Sequence, residues 1–479
     1  MACASSKDAV SALLDGYSDP IQWLVVASFQ LGLAVQQTGL GHRICTYLLK
    51  LTTSSDSTST NPIPIAYTLL VCEYLLALFI PSNTARGAGI MSPIISSLAT
   101  SSSPALFDFW HLLGAHANIL SAAAHMTGTA GGPMIARMLN TYLDMDIRPV
   151  QWSVGALGPW VACAAGLPWV VAWLLGVDLR RTGGGGRGED QQVQEVDADE
   201  EAQPLVAADA GTSAHTITTT TPPGSPMSPI SYLSTSSSSS SSSDPCASPA
   251  HASFTPAQTN AQILLVAILV PTLTLWSFSP LDPSAPAFLS LVLLLLLRIL
   301  PLSAILAHTQ AWDTFLWLGG FLTLSTQLEW AGVTQVLGAG LASILPKYAG
   351  PAMLVAAMVN MVSMYLFSSL TAHAAVVAPP VLAAVAHAIT SGDQDENARV
   401  PWAVGMCMAM TLVLGGLLTP YSTGSVAMYA GKSTLSARRW VHIGAVVGGL
   451  AVGAGVIGVG AAGWWWIIGW WASEGTVVV

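Results

Sequence analysis

Two short segments carry side chains that a lipid bilayer rejects unless they are used. Ile80–Pro93 reads IPSNTARGAGIMSP and Phe367–Pro379 reads FSSLTAHAAVVAP, each inside a long apolar stretch. Both have the form Ser-x-Thr-Ala-cation: Ser82, Thr84, Ala85 and Arg86 in one, Ser369, Thr371, Ala372 and His373 in the other. Ser82 or His125 as the centre of an intramembrane enzyme is disfavoured, because neither has a base or carboxylate at a recurring spacing and no metal-ligand cluster exists. The residues suit reversible binding instead. Helix ends leave backbone N–H groups unpaired and Ser, Asn and Thr supplement such ends, so each segment reads as a hairpin turn aimed at an anion or a cation. The reading taken here is a pair of hairpin tips that hold a small carboxylate, with Ser82, Asn83, Thr84, Ser369 and Thr371 as contacts.

Each tip is followed, after one more helix-length run, by a break rich in Thr, Gly and Pro. Thr127–Pro133 reads TGTAGGP and Thr419–Gly424 reads TPYSTG; 45 residues separate Ser82 from Thr127, and 50 separate Ser369 from Thr419. Thr127 with Gly128, and Thr419 with Pro420, complete the candidate contacts. One Ser or Thr in a membrane helix is more often a packing or back-bonding residue. Two matched clusters argue for a site, since paired interrupted segments in two halves of a chain point to the binding site of a secondary transporter.

Arg86 and His373 take equivalent places, two residues past the Thr of each tip. A charge at the bilayer centre costs about 2.5–3.5 kcal/mol even on lenient scales and calls for a counter-charge. They are assigned to offsetting the negative charge of the substrate in place of bound sodium. The competing readings are an ion pair of Arg86 with Glu73 and a neutral His373 bonded to a backbone carbonyl.

These tips need helices to present them. A Trp-led helix precedes each hairpin, near Trp23 and near Trp317, so the chain is two copies of one unit. Residues 1–177 form the first copy, with a hairpin at 62–98 and a broken helix at 107–139. Residues 178–258 form an acidic, Gly- and Ser-rich linker expected to be disordered, and 259–479 form the second copy, with a hairpin at 352–386 and a broken helix at 402–429. Ile21–Leu51 reads as one bent spanning helix. Gly87–Leu98, the second arm of the first hairpin, is too short to cross a bilayer and is expected to turn back. Two helix-length runs precede Trp317 but only about twenty residues precede Trp23, so by the repeat logic the first copy lacks N-terminal helices.

Composition bounds the class. Of 479 residues, 52% are hydrophobic and 8% charged, against about 25% charged in an ordinary soluble domain, which places the chain in a membrane as an all-α, multi-pass protein. The formal net charge of −10 is misleading, because nine of the 25 acidic residues lie between Asp178 and Asp209; nothing suggests nucleic acid. Six scattered cysteines show no metal spacing. Met1–Asp19 has no compact apolar core of a signal peptide. Trp464, Trp465, Trp466, Trp470 and Trp471 read as an interfacial anchor.

SNTARGAGIMSPI, TGTAGGP, SLTAHAAVVAP and TPYSTG, in this order and spacing, resemble the divalent anion:sodium symporter family, and within it the branch of plastid 2-oxoglutarate/malate translocators and bacterial dicarboxylate or citrate exchangers. The resemblance implies two inverted repeats forming a transport domain that moves as an elevator, usually in a homodimer, with the tip residues binding substrate carboxylates. Leu370 stands where sodium-coupled members carry Asn, which argues against a second sodium site, and no other cofactor is implied. The expected function is exchange of C4/C5 dicarboxylates such as 2-oxoglutarate and malate; sodium-coupled uptake of a dicarboxylate, citrate or sulfate, and a truncated relative that does not transport, stay open. So do two membranes, a plastid inner envelope and a plasma membrane.

Overall fold

A computed structural model describes residues 6–52, 62–100, 102–179, 255–346, 348–391 and 399–464. Every regular element among them is helical. The first half runs α1 (Ser6–Ser18), α2 (Pro20–Gln37), α3 (Leu40–Thr52), α4 (Pro62–Phe79), α5 (Asn83–Arg86), α6 (Ser92–Thr100), α7 (Pro104–Ala124), α8 (Gly132–Leu143) and α9 (Pro149–Leu175). The second half runs α10 (Pro256–Phe278), α11 (Ser284–Leu296), α12 (Leu302–Leu306), α13 (Thr309–Trp330), α14 (Val333–Ala342), α15 (Ala349–Ser363), α16 (Leu370–Ser391), α17 (Arg399–Leu414), α18 (Gly424–Lys432) and α19 (Ala437–Leu450). The linker from 180 to 254 lies outside the described residues.

Among the described residues, five helices are long and apolar enough to cross a bilayer: Pro62–Phe79, Pro149–Leu175, Pro256–Phe278, Leu370–Ala388 and Ala437–Trp464. At 1.5 Å per residue the 27 residues of α9 extend about 40 Å, beyond the roughly 30 Å of hydrocarbon. These helices expose large apolar side chains, among them Val161, Ile263, Val270 and Trp173, as a lipid-facing surface requires. At the centre stands α7, buried on every face from Asp108 to Ala124, its polar Asp108, His111, His116, Asn118 and Ser121 included, the pattern of a helix enclosed by other helices.

The stretch read as one bent helix over Ile21–Leu51 is two. Gly39 adopts φ 71°, and α2 ends at Gln37 before α3 begins at Leu40. Gly332 does the same between α13 and α14, with φ 75°. A left-handed residue ends a helix, and only glycine takes that conformation without steric cost. Gly332 is the cleaner test, since a Cβ there would meet nothing within 4 Å and only backbone strain is in play. Gly332→Ala is expected to lower stability by about 1 kcal/mol, readable as a small drop in melting temperature of the detergent-solubilised protein.

The first hairpin also differs from expectation. Its second arm begins at Asn83 itself and continues through a π turn at Gly87–Met91 to Thr100, so the tip polar residues are the first turn of a helix longer than Gly87–Leu98. Ahead of α2, α1 packs on α13: the Gly16 N–H donates to Thr323 Oγ1 at 3.0 Å and the Tyr17 hydroxyl to the Leu316 carbonyl at 2.9 Å. Trp464 is not an interfacial anchor. It is buried, and its Nε1–H donates to the Gly155 carbonyl at 2.7 Å, tying the end of the α19 helix to α9; the four later tryptophans lie outside the described residues.

Candidate binding site between two hairpin tips and two helix breaks

Both tip serines cap the helices that follow them. Ser82 Oγ accepts the Ala85 N–H at 3.1 Å and Ser369 Oγ accepts the Ala372 N–H at 3.3 Å, the N-cap contact that Ser makes because its short side chain reaches the third residue on. The broken helices restart in the same region. Thr423 Oγ1 caps α18 by accepting the Val426 N–H at 3.2 Å, while α8 restarts after Thr129-Ala130-Gly131 with no side-chain cap.

These four helix starts surround a cavity of about 290 Å³. Ser82, Asn83 and Thr84 line it from the first tip, Ser368, Ser369, Leu370 and Thr371 from the second. Thr129 with Ala130, and Thr423 with Gly424, line it from the two breaks. Phe29 of α2 and Gln310 and Thr314 of α13 close the remaining side. Among the described residues, no charged side chain lines this wall. Each helix N-terminus carries about half a positive charge, so four of them present a field of roughly two positive charges to whatever sits between them.

Thr127, Gly128, Thr419 and Pro420 do not line the cavity. Thr127 and Gly128 belong to a one-turn 3-10 segment, Met126–Gly128, and the Gly128 carbonyl accepts from Arg86. Thr419 is fully buried. The reason is directional: when a helix breaks and resumes, the free N–H groups belong to the downstream half, so the wall is built by Thr129 and Thr423 at the far end of each break. That rule, applied to TGTAGGP and TPYSTG, would have selected them from sequence. Gln310 left no sequence signal.

The two cations also stand elsewhere than expected. Arg86 is fully buried behind the tip, with Nε 2.8 Å from Glu73 Oε2. Its other nitrogens donate to the carbonyls of Ile80 at 2.9 Å, Gly128 at 3.2 Å and Asn118 at 3.2 Å. Each guanidinium nitrogen therefore donates to a protein acceptor, and the ion pair of Arg86 with Glu73 is what the structure contains. Asn118 Nδ2 donates to both Glu73 oxygens, each at 3.2 Å, and to the Asn83 carbonyl at 3.1 Å. Its Oδ1 accepts from Ser425 Oγ at 2.9 Å, and that hydroxyl lies 2.9 Å from Thr423 Oγ1. One buried chain of hydrogen bonds thus links the first tip, both breaks and α7.

His373 is buried as well, its Nε2 2.8 Å from Ser363 Oγ and its ring edge-on to Phe367. The two halves make this layer differently. Glu73 stands nine residues before Ser82, and Asn360 nine before Ser369. Where Glu73 takes an arginine, Asn360 Nδ2 donates to Thr411 Oγ1 at 3.0 Å. An ionic pair supports one tip and neutral hydrogen bonds support the other.

A family model described as the sodium:sulfate symporter transmembrane region matches residues 1–471. The L-tartrate/succinate antiporter of Escherichia coli (strain K12) is 25% identical over 452 residues, which cover 92% of this chain and 77% of that protein. Proteins of the same name from Shigella sonnei (strain Ss046) and Shigella flexneri match at the same identity and coverage.

Proposed function

Because the chain belongs to the sodium:sulfate symporter family, whose members are transporters and not enzymes, we propose that this multi-pass membrane protein exchanges small dicarboxylates, of the size of malate and 2-oxoglutarate, across its membrane. The observation that carries this reading is the convergence of four helix starts, with their Ser and Thr hydroxyls, on one cavity whose wall holds no charged side chain among the described residues. A dianion needs both ends satisfied in a low-dielectric cavity, and opposed helix N-termini do that with N–H groups already in place. The named activity of the similar antiporters, exchange of tartrate and succinate, is in keeping with it.

Ser82, Asn83, Thr84, Ser369 and Thr371 bind the carboxylates, joined by Thr129 and Thr423. Arg86 and His373 act one layer back, holding the tips in place. The field of the four helix ends is matched when a dianion is bound and unmatched when the cavity is empty. Carrying the unmatched field through the bilayer is costly, so the transport elements cross loaded, in an elevator movement, and exchange is obligatory. Sodium has no part in this scheme. Leu370 fills the second tip with an apolar side chain, packed close to Gly416 beside Ile119, where a coordinating oxygen would be needed.

The test is uptake of labelled malate into proteoliposomes, preloaded with 2-oxoglutarate or empty, in sodium or choline medium. Uptake is expected only in preloaded vesicles and at equal rates in the two media. Sodium-dependent uptake into empty vesicles would instead make the protein a symporter.

A further inference from the structure

Gln310 is the one amide side chain that α13 adds to the cavity, and it also lines a second cavity of about 500 Å³ on the α13 side, together with Asp313, Thr314, Ser369 and Thr371. Its Nε2 donates to Ser82 Oγ at 2.9 Å. Ser82 Oγ thereby accepts twice, from Ala85 N–H and from Gln310, and its own proton stays available to the guest. The opposite orientation of the amide would take that proton up in the Gln310 carbonyl and remove a donor from an anion site. In the orientation that keeps Ser82 a donor, Gln310 Oε1 has no hydrogen-bond partner among the described residues. Gln310 thus brings a spare acceptor to a wall it shares with the Ser and Thr residues of both tips.

A carboxylate cannot use such a group, because it too only accepts. A hydroxyl can. We propose that Gln310 is a specificity-determining residue that accepts a hydrogen bond from the hydroxyl of a hydroxy-dicarboxylate, so that the site selects malate-like dianions over unsubstituted ones of the same length. This rests on the dicarboxylate-exchange reading. A substrate hydroxyl bonded to Oε1 gains about 1 kcal/mol over a substrate with none, a factor of roughly five to ten.

The experiment compares malate with succinate, which differ by one hydroxyl, as counter-substrates in proteoliposome exchange. The readout is the ratio of their kcat/KM values in the wild type and in Gln310→Met, which keeps length and removes both polar atoms. The wild type is expected to favour malate by roughly five- to tenfold, and Gln310→Met to bring the ratio close to one, whatever happens to the absolute rates. Thr84→Val serves as the comparison, because Thr84 lines the cavity where the carboxylate that both substrates share would sit and is not the hydrogen-bond partner of Gln310, which is Ser82, so the ratio should stand. Exchange by Gln310→Met with the malate preference intact, or a wild type with none, would overturn the assignment alone. Exchange of neither substrate by the wild type would overturn the exchanger reading and this assignment with it.

Discussion

Arg86→Ala is expected to lose both dicarboxylate exchange and about 3–5 kcal/mol of stability, because it strands the Glu73 carboxylate at zero exposure with Asn118 as its remaining partner. The loss of activity alone does not say what the arginine does, since a cation that offsets substrate charge predicts it too. The double variant Glu73→Gln with Arg86→Met separates the two roles. Replacing both members of a buried ion pair by neutral groups of similar volume removes the stranded charge, and such replacements are often neutral or stabilising. If Arg86 is a positioning residue, the double variant recovers most of the lost melting temperature and exchange returns to within about tenfold of wild type. The Ile80 and Gly128 carbonyls do lose their donor, which accounts for recovery short of complete. A double variant that folds at the wild-type melting temperature and exchanges nothing would show that the substrate needs the charge itself.

That distinction also marks how far the sequence could be read. Hydrophobic content and paired motifs singled out the two tip segments and the two Thr/Gly/Pro segments, since Ser, Asn, Thr and Pro inside apolar runs are costly enough to stand out. Register along a break was harder. Thr127 and Thr419 are the first Thr of their motifs, yet the freed N–H groups lie downstream, and Thr129 and Thr423 line the cavity. Direction was harder still. Arg86 is four residues past Ser82, one helical turn further along the same arm, so spacing by itself could not say whether its side chain follows the tip towards the guest or leans back on α4. The Glu73 carboxylate decides that, and it was visible only as one of two alternatives. Gln310 belongs to a helix far away in sequence whose N-terminal end meets the first tip only in the folded chain.

Gly132→Ala should be the most damaging small substitution at the site. Gly132 is the first residue of α8, and a Cβ on it would fall on the carbonyl oxygen of Met126. Backbone cannot yield as a side-chain tip can, so the 3-10 turn Met126–Gly128 must move. With it go the Gly128 carbonyl that receives Arg86 and the Thr129–Ala130 segment of the cavity wall. The expected cost is roughly 3 kcal/mol, the upper end of what one extra carbon does in a tight place, with exchange falling further than stability because the displaced segment is part of the wall. Gly166→Ala is the matched control. That glycine lies within α9, where a Cβ would meet nothing within 4 Å, and the gain in helix propensity, of about 0.5–1 kcal/mol in a helix interior, should leave the protein as stable as before or slightly more so. Melting temperature and exchange measured on the pair therefore separate crowding at the break from the general effect of adding a methyl group to a glycine. A Gly132→Ala protein as stable and as active as Gly166→Ala would mean that the first break does not hold the cavity wall in place.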